Sequence, residues 1–339
     1  MAFLGSIVLG TGFTFDDTNE AATPISTLQR LRDSGDAPDS IVVPMIGGDE
    51  INSDPTQAHS RYVINFGTLT ESEASRWPKL LDIVRAKVKP QRDALGNNGD
   101  ARRRKQFWWR WGQPAHALAA ALWGKKRCLV NSLVSSHLAF TWKDPHIAFT
   151  NRLCVVAVES DGAFSALQSS THELWARRFS STLEDRMNYA PSDCFETFPF
   201  PRGWETDAAL EDIGKRYHDR RAEIMKARWE GLTKTYNRFH DPQCTDDDIE
   251  ELRALHAEMD RAVLAAYGWT DLDLTTDFHP EHADEPDGKK RLRWSDGTRD
   301  AVLGRLLALN AERAAEERAA AERAAAGKDT TRKGRRGSA

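Results

Sequence analysis

A change of sequence pattern near residue 205 constrains the fold more than any single motif does. Before the segment "CFETFPFPRGW", apolar residues occur mainly in short, alternating runs with many β-branched side chains, which is typical of strands. After it, the composition shifts to Ala, Glu, Arg and Leu with helical periodicity, and helices are predicted over residues 207–233, 246–268 and 297–325. The pattern therefore predicts an α+β fold in which a β-rich domain precedes a helical domain.

The first domain is predicted to be mixed rather than purely β. Strands are expected in "SIVLGTGFTF", "SIVVPMI", "RYVINFG", "KRCLVNSLVSSHLAFTW", "HIAFTNRLCVVAVE" and "GAFSALQ". Helices are expected in "ESEASRWPKLLDIVRAKV", "ARRRKQFWW", "AHALAAALWG" and over residues 169–178. We therefore expect a β-rich domain with inserted helices over residues 1–205, a C-terminal helical domain over 206–326, and a disordered basic tail over 327–339.

Length and composition suit one large or two ordinary soluble domains, since the chain has 339 residues of which 40% are hydrophobic and 29% charged. No run approaches the roughly 18 apolar residues of a membrane span. The start "MAFLGSIVLG" lacks the basic residues and the cleavage site of a signal peptide. The protein is therefore expected to be cytoplasmic, with no membrane partner. The cysteines lie far apart without a Cys-x-x-Cys motif, and no metal site is predicted.

A strongly basic block lies within this net-acidic chain. Between Lys87 and Arg127 there are eleven basic residues and only two acidic ones, a charge of +9, whereas the whole chain has a net charge of −4. At its centre, "ARRRKQFWWRWGQP" interleaves arginines with Phe107 and three tryptophans. Lys and Arg release counterions when they bind phosphates, and Arg can also bind phosphate or guanine edges through two hydrogen bonds. The block therefore predicts a nucleic-acid contact.

The residues predicted to contact DNA in this block are Arg102, Arg103, Arg104, Lys105, Trp109 and Arg110, assisted by Lys125, Lys126 and Arg127. The alternative is an amphipathic helix whose tryptophan face packs into the core while its arginine face is only solvated. Both interpretations can hold together, with Trp108 and Trp111 buried and the arginines facing a ligand. Further along the chain, His137 is expected to hydrogen-bond to DNA or to the fold. The candidates for reading bases are Arg177, Arg178 and Arg186.

The segment "LGSIVLGTGFTF" raises the question of a cofactor loop, because Gly10 and Gly12 follow an apolar run. A nucleotide or S-adenosylmethionine loop needs a helix that opens directly after the glycines, and usually an acid about 20 residues further on. Here "FTF" alternates like a strand and the chain then breaks at "DDTN". The glycines are therefore predicted to serve the backbone geometry and to bind no cofactor.

The order of several motifs resembles a known family. Similarity to the target-recognition region of MmeI-like type II restriction-modification proteins and related adenine-specific DNA methyltransferases is carried by "GSIVLGTGFTF", "PMIGGDEINSDPTQAHSRYVINFG", "VKPQRD", "RRRKQFWWRWGQP", "LVSSHLAF" and "STHELWARRFSSTLEDRMNYAPSDCFETFPFP". The helical segment that follows it there resembles "LTKTYNRFHDP", "LHAEMDRAVLAAYGW" and "RLLALNAERAAEE". The resemblance implies sequence-specific binding of double-stranded DNA in the service of methylating the exocyclic amine of adenine.

The chain departs from that family in its catalytic motif. It contains no Pro-Pro dipeptide, so the Asn-Pro-Pro-Tyr-type motif that holds the flipped adenine in the family is absent. No catalytic or cofactor-binding residue is therefore expected here, and S-adenosylmethionine is expected on a methyltransferase catalytic domain carried by a separate partner chain. Whether this chain is itself an enzyme stays open. The alternatives are an autonomous S-adenosylmethionine-dependent methyltransferase that uses "LGTGFTF", and an RNA-binding protein with Trp108 and Trp109 as stacking platforms.

Overall fold

The computed structural model describes residues 1–183, 186–281 and 288–336 of the chain. Its helices are α1 (Ile25–Asp33), α2 (Gly48–Ser53), α3 (Glu71–Ala74), α4 (Pro78–Lys87), α5 (Lys89–Asp93), α6 (Gly99–Gln106), α7 (His116–Leu122), α8 (Asp161–Gln168), α9 (Ser170–Phe179), α10 (Ala208–Arg228), α11 (Leu232–Phe239), α12 (Asp247–Ala266) and α13 (Asp296–Arg336). Its strands are β1 (Ala2–Leu4), β2 (Thr14–Phe15), β3 (Val42–Ile46), β4 (Arg61–Ile64), β5 (Cys128–Ser132), β6 (Val134–Ser135), β7 (Thr141–Lys143), β8 (Ala148–Phe149), β9 (Leu153–Val156), β10 (Ser181–Leu183), β11 (Arg186–Asn188), β12 (Thr276–Pro280) and β13 (Lys290–Trp294). The predicted α+β class, with inserted helices first and a helical C-terminal region after them, is confirmed.

A four-stranded antiparallel sheet in the order β1-β9-β5-β7 carries the main hydrophobic core. Every residue of β5 and β9 is buried. Strand β9 reads as a continuous apolar run, "LCVV", whereas β5, "CLVNS", ends in two buried polar residues. Phe164 of α8 and Tyr217 of α10 belong to the same core cluster as Leu129 and Val155 of the sheet. Helices from either side of residue 205 therefore pack on this sheet.

A second sheet, in the order β2-β4-β3-β8, positions the basic block. Its strands pair antiparallel except for β3 and β8, which are parallel and align Met45 with Ala148. The three tryptophans that follow α6 lie in the core cluster of this sheet, and they are Trp108, Trp109 and Trp111. The tryptophans therefore fix the chain after α6 to the sheet, which sets the position of the arginines that precede them.

The segment "FETFPFP" packs between the first part of the chain and the C-terminal helices. Phe198 is buried in a third core cluster with Trp175 of α9, Leu264 of α12 and Trp294 of β13. Phe200 packs against both this cluster and the main core. The two prolines fix an extended backbone, so that alternate phenylalanines enter the seam.

The described residues also form two smaller β-structures. A sheet in the order β10-β11-β6 has β11 pairing antiparallel with both neighbours, and residues 184–185, between β10 and β11, lie outside the described residues. Near the C-terminus, β12 and β13 form an antiparallel hairpin that pairs Thr276 with Trp294. The sequence pattern predicts neither a strand nor a hairpin over β12 and β13.

The strand predicted in "GAFSALQ" is wrong, because this segment forms α8. The hydroxyl of Ser160 caps the helix by accepting a hydrogen bond from the backbone N–H of Ala163 at 3.1 Å. Every residue of α8 is buried, so the periodic pattern that reveals a half-exposed helix is missing. The helix predicted over 207–233 is also interrupted, since Trp229 adopts a left-handed conformation with φ 52° at the end of α10.

The division predicted near residue 205 does not separate two hydrophobic cores. The main core combines Leu129 of the central sheet with Ile213 of α10 and Leu252 of α12. The domain limits stay predictions. Helix α13 extends the backbone helix through residues 327–336, where the sequence predicts a disordered tail. The helix of the preceding Ala-rich segment, which has a high helix propensity, therefore continues into residues that contain no alanine; residues 337–339 lie outside the described residues. In the described part of the chain, no helix combines the length and the apolar character needed to cross a membrane.

Candidate nucleic-acid interface

Helix α6 carries the arginine run and begins at a well-defined cap. The side chain of Asn98 accepts a hydrogen bond from the backbone N–H of Ala101 at 2.8 Å, which satisfies one of the free donors at the start of the helix. Asp100 lies in the first turn, while basic residues fill the last turn. This order of charges complements the helix dipole, so the sequence of α6 favours the helix despite its high charge.

Two cations of the run are available to a ligand. Arg102 is exposed and Lys105 is partly exposed. Within the described residues neither side chain makes a hydrogen bond or an ion pair, whereas the neighbouring Arg103 and Arg104 bind Asp100. The two paired arginines therefore lie between the two free cations on a single short helix.

A cavity of about 160 Å³ opens beside α6, and we call it the arginine cleft. The residues that line it include Thr68, Arg103, Arg104, Phe107, Arg110 and His116. One oxygen of Asp100 lies 3.0 Å from Nη2 of Arg103 and the other lies 2.7 Å from Nη2 of Arg104. One carboxylate is therefore shared by two guanidinium groups of the cleft.

Backbone carbonyls hold Arg110 in the cleft. Its Nε and Nη2 donate to the carbonyl oxygen of Leu69 at 3.0 and 2.8 Å, and Nη2 also donates to that of Thr68 at 2.7 Å. The guanidinium carbon lies 4.7 Å from the ring centre of Phe107 and 5.5 Å from that of Trp109. Carbonyls and ring faces orient the guanidinium and attract it, but they cancel none of its formal charge.

Arg92 of α5 lies behind the cleft and is buried. Its guanidinium donates to the backbone carbonyls of Val8, Leu9, Phe107, Trp108 and Arg110. Burial lowers the pKa of Arg92 to about 10, and repulsion from Arg104 and Arg103 adds to that shift. Among the described residues no carboxylate binds Arg92, so its charge adds to the positive potential of the cleft.

The structure places the predicted DNA ligand Trp109 in the core instead. Its side chain is buried, and its Nε1 donates to the carbonyl oxygen of Leu69 at 2.9 Å. Trp108 and Trp111 are buried as well, and Nε1 of Trp111 donates to the carbonyl oxygen of Ile64 at 2.8 Å. The interpretation in which the tryptophans pack while the arginines face outward therefore describes this segment, with Trp109 on the packed side.

The cluster Lys125, Lys126 and Arg127, predicted to assist in DNA binding, is largely neutralised. Arg127 forms a two-fold ion pair with Asp161, with Nη2 to Oδ2 at 2.9 Å, and its guanidinium lies 3.9 Å from the ring centre of Trp142. Lys125 lies 3.6 Å from a carboxylate oxygen of Glu159. Of these three residues, only Lys126 is exposed and has no ion pair with a described residue. The acids that neutralise this cluster follow it by more than 30 residues in sequence, so the local charge count could not include them.

His137 is part of the fold. Its Nε2 is 2.8 Å from Oδ1 of Asn237, and its ring stacks on that of His240 at a centroid distance of 5.3 Å. Burial, followed by the charge of Arg291, lowers the pKa of His137 to about 3. The buried imidazole is therefore neutral near pH 7. Of its two predicted roles, hydrogen bonding within the fold is the one that this geometry provides, and no ring nitrogen is presented to DNA.

Arg291 of β13 organises the network around His137, although no motif in the sequence predicts this role. Its Nη2 lies 2.8 Å from Oε1 of Glu173 and 3.0 Å from Nε2 of His240, and its Nη1 lies 3.4 Å from Oε1 of Glu281. Although burial acts to raise it, Arg291 holds the pKa of the Glu173 carboxyl well below its usual range. The alternation in "KKRLRW" could have predicted the strand, but no local pattern identifies its distant partners.

The three candidates for reading bases have different environments. Arg177 is committed to the buried network, with Nε 2.8 Å from Oε1 of Glu173 and Nη2 3.2 Å from the carbonyl oxygen of Ser136. Arg178 is exposed on α9, and Arg186 is exposed at the start of β11. The structure therefore brings Arg178 and Arg186 to the surface and holds Arg177 in ion pairs.

Gly10 and Gly12 have clear structural roles. Gly10 has φ 142°, a conformation that side chains rarely adopt. A Cβ at Gly12 would lie 2.4 Å from Cβ of Lys87 and 2.8 Å from a methyl of Val88, so this turn packs directly on the end of α4. A single short turn over Thr11–Phe13 follows Gly10, and not the long helix of a dinucleotide loop.

Comparisons with known proteins agree with this architecture. The family model described as "MmeI, target recognition domain" matches residues 19–202. A solved structure of the type IIL restriction-modification enzyme MmeI in complex with DNA is similar to 92% of this chain, with 18% sequence identity and a TM-score of 0.61. The matched part spans 35% of that MmeI chain. No curated protein sequence matches the chain. These findings confirm the resemblance indicated by the order of motifs.

Proposed function

The chain belongs to the MmeI target recognition domain family, and we propose that it recognises the DNA sequence for an adenine-specific methyltransferase or restriction-modification system. The family match over residues 19–202 carries the proposal, because it includes α6, α9 and the strands β5, β7 and β9 of the sheet β1-β9-β5-β7. The related MmeI structure was determined in complex with DNA. A helix whose arginines outnumber their carboxylate partners also fits a polyanionic ligand.

We propose a division of labour between two surfaces. Arg102 and Lys105 contact phosphates together with the arginine cleft, and these contacts set the position of the protein on the duplex. Arg178 and Arg186 contact base edges, because exposed arginines can bind a guanine through two hydrogen bonds. Affinity then depends mainly on the first surface, and sequence preference mainly on the second.

We propose that methyl transfer itself takes place on a separate methyltransferase chain, which binds S-adenosylmethionine. The proposal rests on the missing Pro-Pro dipeptide, because the family motif that holds the adenine needs it. In this arrangement the present chain positions the duplex and the partner supplies the chemistry. A DNA-directed system of this kind places the protein in the cytoplasm.

The two alternative functions have less structural support. An RNA-binding protein would use Trp108 and Trp109 as stacking platforms, but both rings are buried. An autonomous methyltransferase would bind S-adenosylmethionine at Gly10 and Gly12, but Gly12 packs against Lys87 and Val88. Isothermal titration with S-adenosylmethionine tests the autonomous methyltransferase, since micromolar binding by this chain would favour that alternative.

Selection from a library of random duplexes tests the proposed function. The 339-residue chain should enrich one sequence motif, and fluorescence anisotropy should show that single-stranded RNA competes poorly for the bound duplex. Enrichment of no motif, with the same affinity for every duplex, would contradict sequence-specific recognition by this chain.

A further inference from the structure

The arginine cleft has an excess of positive charge that its own carboxylates do not balance. Arg103, Arg104 and Arg110 line it, and among the described residues the carboxylate bound to them is that of Asp100. Glu73 lies close enough for its charge to be felt at Arg110, but it is exposed and its carboxylate accepts hydrogen bonds from Thr70 at the start of α3. Three guanidinium groups therefore face one bound carboxylate.

The volume of the cleft selects the size of its ligand. At about 160 Å³ it is smaller than the roughly 300–1,000 Å³ of pockets that enclose drug-sized molecules. Such a space suits one compact ionic group, not a whole nucleotide. Guanidinium groups bind the oxygens of a phosphate through parallel hydrogen bonds, which makes a phosphate the ligand that best matches this lining.

The surroundings of the cleft also favour an added anion. Arg104 has a buried Nε without a hydrogen-bond partner among the described residues, so the donors of this guanidinium are not all used. Arg92 lies behind and repels both Arg103 and Arg104. A bound anion would reduce this repulsion, because it would place a negative charge among four guanidinium groups.

We propose that the arginine cleft holds one phosphodiester group of the DNA backbone, bound by Arg103, Arg104 and Arg110. This inference rests on the proposed function, because the phosphate belongs to the recognised duplex. The phosphate competes with Asp100 for the two arginines of α6. Arg92 acts as a positioning residue, because its hydrogen bonds to backbone carbonyls hold the segment that contains Phe107 and Arg110 in place. Arg102, on the same helix but outside the cleft lining, contacts a different phosphate.

Inorganic phosphate is the first probe, and the thermal unfolding midpoint of the full chain at constant ionic strength is the measurement. Phosphate should raise the midpoint of the unsubstituted protein. Arg104→Gln should need about ten times more phosphate for the same rise, because one charge-assisted hydrogen-bonding group is lost. Asp100→Asn should need several times less, because the competing carboxylate is gone. Arg216→Gln on α10, where the guanidinium is paired with Asp212 and Glu258, is the control and should respond like the unsubstituted protein.

Duplexes with one neutral methylphosphonate at a time provide the second measurement. At one backbone position, neutralising the phosphate should weaken binding by the unsubstituted protein but cause no further loss in Arg104→Gln. The log-log salt dependence of Arg104→Gln should be flatter by about 0.9, the value for one phosphate contact. Arg104→Lys keeps the charge but lacks the planar guanidinium. Its salt dependence should therefore lie between those of the unsubstituted protein and Arg104→Gln.

The outcomes separate this inference from the proposed function. If Arg104→Gln and Asp100→Asn are folded by circular dichroism and respond to phosphate like the unsubstituted protein, while that protein still selects a DNA motif, the cleft inference is overturned and the proposed function stands. If the phosphate responses are as expected but the chain binds no duplex, the proposed function fails, and so does the assignment of the cleft to DNA.

Discussion

Helices α6 and α10 are both rich in arginine, but their charges are balanced to different degrees. On α10, Arg216 and Arg220 each bind two carboxylates, one on α10 and one on α12. On α6, Arg103 and Arg104 share the carboxylate of Asp100. The number of arginines therefore does not identify a phosphate-binding surface. What matters is how many carboxylates the fold brings to them.

Each region also contains one buried arginine. Arg221 of α10 donates to Gln168 at 3.1 Å and to Tyr236 at 2.9 Å, and it also donates to the carbonyl oxygen of Phe140. Arg92 donates to backbone carbonyls, and neither arginine has a carboxylate partner among the described residues. Both act as buried cross-links. The difference is that only Arg92 lies beside further unbalanced arginines, so its charge contributes to a positive surface.

The largest expected effect comes from removing the cations of α6. Replacing Arg102, Arg103 and Arg104 together by Ala should flatten the log-log salt dependence of duplex binding by about 2 units, since the phosphate in the cleft and the phosphate at Arg102 each contribute about 0.9. Near 0.1 M salt, this corresponds to roughly a hundredfold loss of affinity. Fluorescence anisotropy at several salt concentrations measures the slope, and sequence preference should be retained.

The matched control for this variant lies on α10. Lys215, Arg216 and Arg220 all have carboxylate partners, so replacing these three by Ala should leave the salt dependence unchanged. Circular dichroism shows whether both proteins are folded. Equal slopes for the two triple variants would mean that carboxylate pairing does not distinguish the helices, and the phosphate surface would have to lie elsewhere.

The second effect is on stability. Arg92→Met should lower the free energy of unfolding by about 2 to 3 kcal/mol, because it leaves buried carbonyls of several segments without donors. The comparison is Arg216→Met, whose exposed ion pairs should be worth less than about 1 kcal/mol. Urea unfolding of both variants measures the difference. Similar losses would show that Arg92 is not the cross-link that its hydrogen bonds indicate.

How far the sequence predicts these features depends on how local their causes are. The arginine run and the burial of Trp108 and Trp111 could be predicted, because they follow from residues within one segment. The partners of Arg127 and the Arg291 network could not, since the acids involved come from distant parts of the chain. Helix α8 was missed because complete burial removes its periodicity.

The third effect separates the two regions by their response to acid. Burial lowers the pKa of His172 and of His137 to about 3, below the unfolded value of about 6.5. Protons therefore bind the unfolded chain more tightly, so stability is complete above pH 6.5 and is lost as the pH falls towards 3. As the pH falls from 6.5 to 5, each imidazole should lower the free energy of unfolding by about 2 kcal/mol.

Urea unfolding at both pH values tests this expectation. Between pH 6.5 and 5, the protein with Arg102, Arg103 and Arg104 replaced by Ala should lose as much stability as the unsubstituted protein. The reason is that the two histidines belong to the region of the central sheet and the helices packed on it, and not to α6. His172→Phe should show a weaker pH dependence, whatever its stability at pH 7. A pH dependence that is unchanged in His172→Phe would argue against His172 as one of its sources.

The smallest effect concerns Trp109, which lies between the basic surface and the core. Trp109→Phe removes the indole N–H that donates to the carbonyl of Leu69 at 2.9 Å, but Nε and Nη2 of Arg110 still donate to that oxygen. The free energy of unfolding should therefore fall by only about 1 kcal/mol. Duplex affinity and its salt dependence should not change, because the ring is buried and Arg110 keeps its carbonyl partners. Urea unfolding and anisotropy measure the two quantities on the same protein. Weaker DNA binding at unchanged stability would instead show that Trp109 contacts the ligand and belongs to the interface.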